Sequence, residues 1–227
     1  AGQTITFRTG TIATPTLTTS SSTTAQFVAA ANGGSSDGSK AVYNFSSSNA
    51  SSVITKLTFT ATSGTATAVK INGVSYPVVG TTAIASGLNL VVPLGGSGLN
   101  VEVYVSYPEV GSSGAASNTS STLTLTGVEY GSGGVAQTPL TPSVAAPTMV
   151  LVGSVPALAI ADSSDTLLNG SVKIAEVTVS ANSKGDIKLG KLPVLVNSTG
   201  VATIASAADN IVVKDTSGNT IATTNAT

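Results

Sequence analysis

The chain has 227 residues, a net charge of −1 and 8% charged residues, against roughly 25% in an ordinary soluble domain. That balance excludes the clustered Lys and Arg with which proteins displace counterions from nucleic acid, and equally a basic membrane-surface helix. With no Cys and no His, disulfide frameworks, thiolate or imidazole metal sites, and Ser-His-Asp or Cys-His catalysis fall away as well.

What remains is rich in Val, Ile, Leu, Ala, Ser, Thr and Gly, with 41% hydrophobic residues and a mean hydropathy of +0.36. Disordered chains combine low hydrophobicity with high net charge, so this one is expected to fold. β-branched side chains fit a pleated, half-buried surface, and no window repeats its apolar residues every 3.6 positions. An all-β protein follows.

In chain order, TITFRTGTIATPTL (4–17) predicts a strand, a break and a second strand, and SSSTT (20–24) and NGGSSDGS (32–39) predict exposed loops. SVITKLTFTATSG (52–64) predicts a strand, AVKINGVSYPVVGTT (68–82) a hairpin, and LNLVVPL (88–94) a further strand. LNVEVYVS (99–106) alternates cleanly, with Leu99, Val101, Val103 and Val105 on one face and Asn100, Glu102, Tyr104 and Ser106 on the other. STLTLTGVEY (121–130) alternates until Gly127, where the phase shifts as at a bulge. Residues 131–147, GSGGVAQTPLTPSVAAP, have the composition of a linker. The charge-free stretch 143–161 is long enough to span a membrane but is chopped by Pro147, Gly153, Ser154 and Pro156, so a linker and two strands are expected. SVKIAEVTVSA (171–181) alternates with a shift near Ala175.

The chain also repeats itself. TITFRTGTIATPTL matches TMVLVGSVPALAI (148–160), SVITKLTFTATSG matches GDIKLGKLPVLVNSTG (185–200), and AVKINGVSYPVVGTT matches VVKDTSGNTIATT (212–224). Lys56 falls on Lys191 and Lys70 on Lys214, in the same order and at nearly one offset. A tandem duplication is expected, giving a β-sandwich over 1–130, a linker over 131–147 and a second sandwich over 148–227. The first copy's strands at 88–94, 99–107 and 121–130 have no counterpart after Thr224. Either the chain is a piece of a longer protein, in keeping with a start at Ala1, or a neighbouring subunit supplies the missing strands. TITFRTGTIATPTL is then a natural donor.

Candidate chemistry is sparse. Glu102 and Glu129 are expected on strand surfaces rather than as a glycosidase pair, and Asp162 and Asp165 as solvated loop acids rather than calcium ligands. Tyr104, Tyr107 and Tyr130 offer a small exposed patch or, by default, sandwich-rim residues. No catalytic, cofactor or metal residue is assigned. N-x-Ser/Thr sequons place candidate glycosylation at Asn44, Asn49, Asn118, Asn169, Asn197 and Asn225; in a chain this rich in Ser and Thr their number is no enrichment.

The run LLNGSVKIAEVTVSANSKGDIKLGKLPVLVNSTGVATIASAADNIVVKDTSGNTI (167–221) resembles the tandem immunoglobulin-like β-sandwich repeats of prokaryotic surface proteins, in candidate-phylum bacteria and in archaeal filaments. The resemblance covers 148–224, and 1–130 more loosely. It implies an extracellular, cell-surface structural protein, a subunit of a surface layer, filament or pilus that joins copies of itself through strand edges, with surface glycans as further partners. The alternative it leaves is an adhesin stalk or ligand-binding spacer in a longer protein. No surface-layer anchoring motif is present, and LPVLV (192–196) lacks the Thr-Gly of a sortase signal.

Overall fold

The computed structural model describes residues 8–13, 16–20, 26–96, 98–111, 114–163, 172–191, 193 and 210–225. They divide into two units, Ala1–Ile187 and Lys188–Thr227. All regular structure among the described residues is β-strand, and no helix is long and apolar enough to cross a membrane.

In the first unit the strands are β1 (Thr11–Ile12), β2 (Thr16–Ser20), β3 (Gln26–Ala29), β4 (Ser35–Phe45), β5 (Ser47–Ser48), β6 (Ser52–Ala61), β7 (Ala68–Ile71), β8 (Val74–Val79) and β9 (Thr82–Val92). There follow β10 (Leu99–Tyr107), β11 (Thr119–Ser121), β12 (Leu123–Ser132), β13 (Val135–Ala136), β14 (Val144–Ala145), β15 (Met149–Val152), β16 (Ala157–Asp162) and β17 (Ala175–Ser180). One sheet runs β13–β12–β6–β9–β8–β7–β10–β4–β2, with β14 also on β12. Strand β8 joins its two halves, pairing with β7 along Val74–Pro77 and with β9 at Val78–Val79.

The two halves share one core. Alternation buries Ile54, Leu57 and Phe59 on β6, Leu123, Leu125 and Val128 on β12, Val101, Val103 and Val105 on β10, and Ala41, Tyr43 and Phe45 on β4. Tyr43 and Phe59 meet across the core with ring centroids 5.9 Å apart and planes at 56°, a favourable tilted aromatic pair. The result is sandwich-like. A smaller sheet, β11–β15–β3, adds Val28, Met149 and Leu151 to the same core. Asn72 (φ 49°) and Gly73 (φ 81°) turn β7 into β8, as a two-residue hairpin with both central residues left-handed requires.

Several expectations change. Residues 131–147 do not hang free: Val135–Ala136, Gln137, Leu140 and Val144–Ala146 hydrogen-bond in turn down the outer edge of β12. Met149–Val152, expected to open a second sandwich, pairs with β11 and runs parallel to β3 inside the first unit. Ser35–Ser39, expected as loop, begins β4. The bulge expected at Gly127 is present, with the β12–β6 register shifting between Leu125 and Gly127. Strands β16 and β17 form a separate ribbon that leaves at Gly153, which accepts from the Ala31 N–H (3.3 Å), and returns at Lys184, whose carbonyl accepts from Asn32 Nδ2 (2.6 Å). Nearly every residue of that ribbon is exposed.

The described part of the second unit includes one hairpin, β18 (Asn210–Lys214) with β19 (Thr220–Asn225). Asp215 organises its turn: Oδ1 accepts from the Ser217 and Asn219 N–H groups at 2.9 and 2.8 Å, and Oδ2 from Asn219 Nδ2 at 2.9 Å. These bonds, the Asn219 side chain first, hold its carboxyl below the usual range. Of the segment expected to repeat β6, 185–200, the described residues 185–191 and 193 form no strand, and the rest lie outside the described residues, as do residues 1–7 of the N-terminal segment.

The core carries one flaw. The Tyr43 hydroxyl is fully buried with no hydrogen-bond partner among the described residues, and burial pushes its ionisation far up. Tyr107, also buried, has Ser39 Oγ at 2.5 Å. An unsatisfied buried hydroxyl costs about 1–3 kcal/mol. Tyr43→Phe is therefore expected to raise stability by about 1 kcal/mol, while Phe59→Ala, which empties the opposing position, lowers it by about 3–5 kcal/mol. Urea unfolding of the two variants checks both signs.

Candidate functional site

Strand β10 lies between β4 and β7, and the register sets Lys40, Tyr104 and Lys70 in one row across the outer face. The two Nζ atoms stand 5.9 and 5.8 Å from the Tyr104 ring centroid, within cation–π range. Two residues along the same face, Glu102 accepts from Lys40 Nζ at 2.9 Å and from the Tyr104 hydroxyl at 2.9 Å. Asp37 completes the group by pairing with Lys70.

Asp37 reaches the group through a bulge. Val105 pairs with Ser39 and Tyr107 with Ser35, so residues 36–38 of β4 stand against Ser106 alone. Asp37 adopts φ 53°, and its N–H donates to Ser106 Oγ at 3.3 Å. Gly38 makes the close approach tolerable, because a Cβ there would lie 2.8 Å from the Tyr107 ring and 2.9 Å from Val28 Cγ1. Strain of this kind persists only where surrounding structure over-determines it.

The electrostatics are those of satisfied pairs. Hydrogen bonds from Lys40 and then Tyr104, with the Lys40 charge, hold the Glu102 carboxyl below its ordinary value. The same contact with Glu102 raises Lys40. Two cations and two anions cancel, which leaves no idle base or nucleophile. Among the described residues no group of three His, Cys, Asp or Glu is placed to hold a metal.

The other sequence candidates scatter. Glu102 and Glu129 are on separate strand surfaces, each with a lysine partner, and Lys56 Nζ is 2.6 Å from Glu129. Asp162 sits at the end of β16 opposite Ala175, and Asp165 is outside the described residues. The three tyrosines do not form an exposed patch: Tyr107 and Tyr130 point into the core, and only Tyr104 faces out. Asn44 is engaged within the sheet, donating to Asn100 Oδ1 at 3.0 Å. Asn49 and Asn118 occupy exposed turns, both at φ 68°. Asn169 and Asn197 lie outside the described residues, and Asn225 ends β19.

Sequence reasoning expected an uncovered sheet edge in the second copy alone, and missed those in the first unit. Strand β9 is paired with β6 along one side, but on the other β8 reaches it only at Thr82 and Ala83. From Ile84 to Val92 no described residue pairs with that outer side. Beside it Pro77, Val79, Thr82 and Ile84 line a shallow apolar cavity of about 380 Å³. The β16–β17 ribbon exposes Leu158, Ile160 and Val177, and β18–β19 exposes Val212, Val213 and Ile221. The signal available was the absence of any charged residue between Lys70 and Glu102.

The charged row makes a pH prediction. A group with a lowered folded pKa stabilises above its unfolded value and loses that contribution as pH falls through the folded one; a raised lysine stabilises below its unfolded value and loses it as pH rises through the folded one. The Lys40–Glu102 pair therefore stabilises from above the ordinary glutamate range up to the ordinary lysine value. In Lys40→Met the Glu102 carboxyl is expected to titrate at a higher pH than in the parent, measured by carboxyl carbon NMR; an unchanged midpoint would show that the pair does not form in solution. No family model matches the chain, and no curated protein or solved structure gives a match to it.

Proposed function

We propose that the chain is an extracellular structural subunit that assembles with copies of itself into a surface layer or filament by completing β-strand edges. The observation that carries this reading is the exposed β16–β17 ribbon, with Leu158 54% and Ile160 67% exposed. A two-stranded ribbon is marginal in water, and stability needs a third strand or a packed face. Among the described residues the β18–β19 hairpin of the second unit likewise has no third strand. Charge supports the reading too, since a net charge of −1 gives little repulsion between copies.

Within this proposal β7–β8 and β18–β19 are corresponding hairpins of two immunoglobulin-like repeats, each with a lysine just before the turn, Lys70 and Lys214. Asn49 and Asn118, on exposed turns, are sequons presented to a glycosyltransferase. Function then lies in strand burial rather than in a reaction.

Light scattering across a concentration series, with electron microscopy of the concentrated sample, tests the reading. Mass that rises with concentration and a regular repeat in micrographs are expected. A monomer at every concentration would sink it and favour the stalk of a longer surface protein.

A further inference from the structure

We infer that the outer side of β9, from Ile84 to Val92, is a strand-addition site, and that its occupant is the β16–β17 ribbon of a second copy, entering through β16. This rests on the self-assembly reading and gives that assembly its contact.

The edge stands out from the others in the first unit. The outer side of β12 is covered by residues 135–146, and that of β4 by β2. Natural edges left open are commonly guarded by Lys, Pro or a bulge. The open side of β9 has no charged residue, and Pro77 and Pro93 both lie outside it. It does carry a bulge, where the register with β6 shifts between Ser86 and Leu90. That divides the edge into two short accepting runs, and the first adjoins the apolar cavity at Pro77, Val79, Thr82 and Ile84.

The ribbon has the complementary deficit. Strand β16 pairs with β17 on one side, and no described residue pairs with its other side. All six of its residues are exposed, and Ala157–Ala161 carry no charge. Leu158 and Ile160, two apart, fall on one face, while Ala157, Ala159 and Ala161 fall on the other. Strand addition takes its affinity from main-chain hydrogen bonds and its register from pockets for alternate side chains. Laid beside β9, β16 gains a second neighbour, the ribbon becomes part of a larger sheet, and Leu158 or Ile160 covers Val79 and Ile84. Neither Ile84–Val92 nor Ala157–Ala161 has a charge to desolvate. Because donor and acceptor are different surfaces of one chain, the contact is head-to-tail and propagates unless it closes into a ring.

The test uses two full-chain variants, Ile84→Lys at the acceptor and Ile160→Lys at the donor. Both positions are about half exposed or more, so parent-like circular dichroism is expected of each. Each alone is expected to weaken association roughly thirtyfold. Mixed in equal amounts, they retain one intact donor and one intact acceptor between them and are expected to form a two-chain complex that grows no further. As a second readout independent of the lysines, Ser86→Cys, on the same face of β9 as Ile84, and Leu158→Cys, in a chain with no other Cys, are expected to form an interchain disulfide when mixed. If the parent assembles while both lysine variants assemble equally well and no disulfide forms, the β9 assignment is wrong although self-assembly stands. If the parent stays monomeric throughout, the self-assembly reading itself fails.

Discussion

A strand offers hydrogen-bonding groups along both of its sides, and the arrangement of this molecule follows from where those sides find partners. An unpaired backbone group away from water costs about as much as a lost hydrogen bond. The first unit meets that demand with segments that have no strong strand character of their own. Residues 135–146 bond down β12 in pieces, through Val135–Ala136, Gln137, Leu140 and Val144–Ala146. Along Ile84–Val92 of β9 and on the outer side of β16 no described residue supplies such a segment.

The surface chemistry suits that economy of charge. Lys56 with Glu129 and Lys40 with Glu102 join neighbouring strands on outer faces. Exposed pairs of this kind contribute little to stability, but cross-strand partners of opposite charge favour one register over its neighbours. Threonines do the rest: Thr60 on β6 and Thr126 on β12 have hydroxyls 3.3 Å apart, and just outside the strands the Thr122 hydroxyl is 2.8 Å from that of Thr148. Such a face stays wet without carrying charge.

Local pattern made part of this legible. The alternation of Val101, Val103 and Val105, the Asn72–Gly73 turn and the Gly127 bulge are consequences of one or two residues acting on their own backbone, and each is where the sequence places it. The positions that resisted are set by partners far away in the chain. Gly and Pro in 131–147 read as a linker because composition cannot report that β12 lies alongside. Met149–Val152 alternates as a strand should, but nothing local says that it runs parallel to β3. Tyr107 and Tyr130 read as rim residues because a phenol fits either place, and Ser39 is what makes the buried site of Tyr107 acceptable. Of the candidate site, the lysine–tyrosine row needed three strands in register, and the open edge of β9 needed the whole sheet order.

The parallel pairing of β15 with β3 joins segments far apart in the chain. Met149 meets Gln26, and Leu151, fully buried, meets Val28. Closing so long a loop is entropically expensive, and chains dominated by such pairings fold slowly. During synthesis the β11–β15–β3 sheet cannot be completed until residue 152 has appeared, by which time the strands of the large sheet have all been made. Met149 and Leu151 are thus the last of the buried core residues to be made, and Val28, among the first, waits longest for its strand partner.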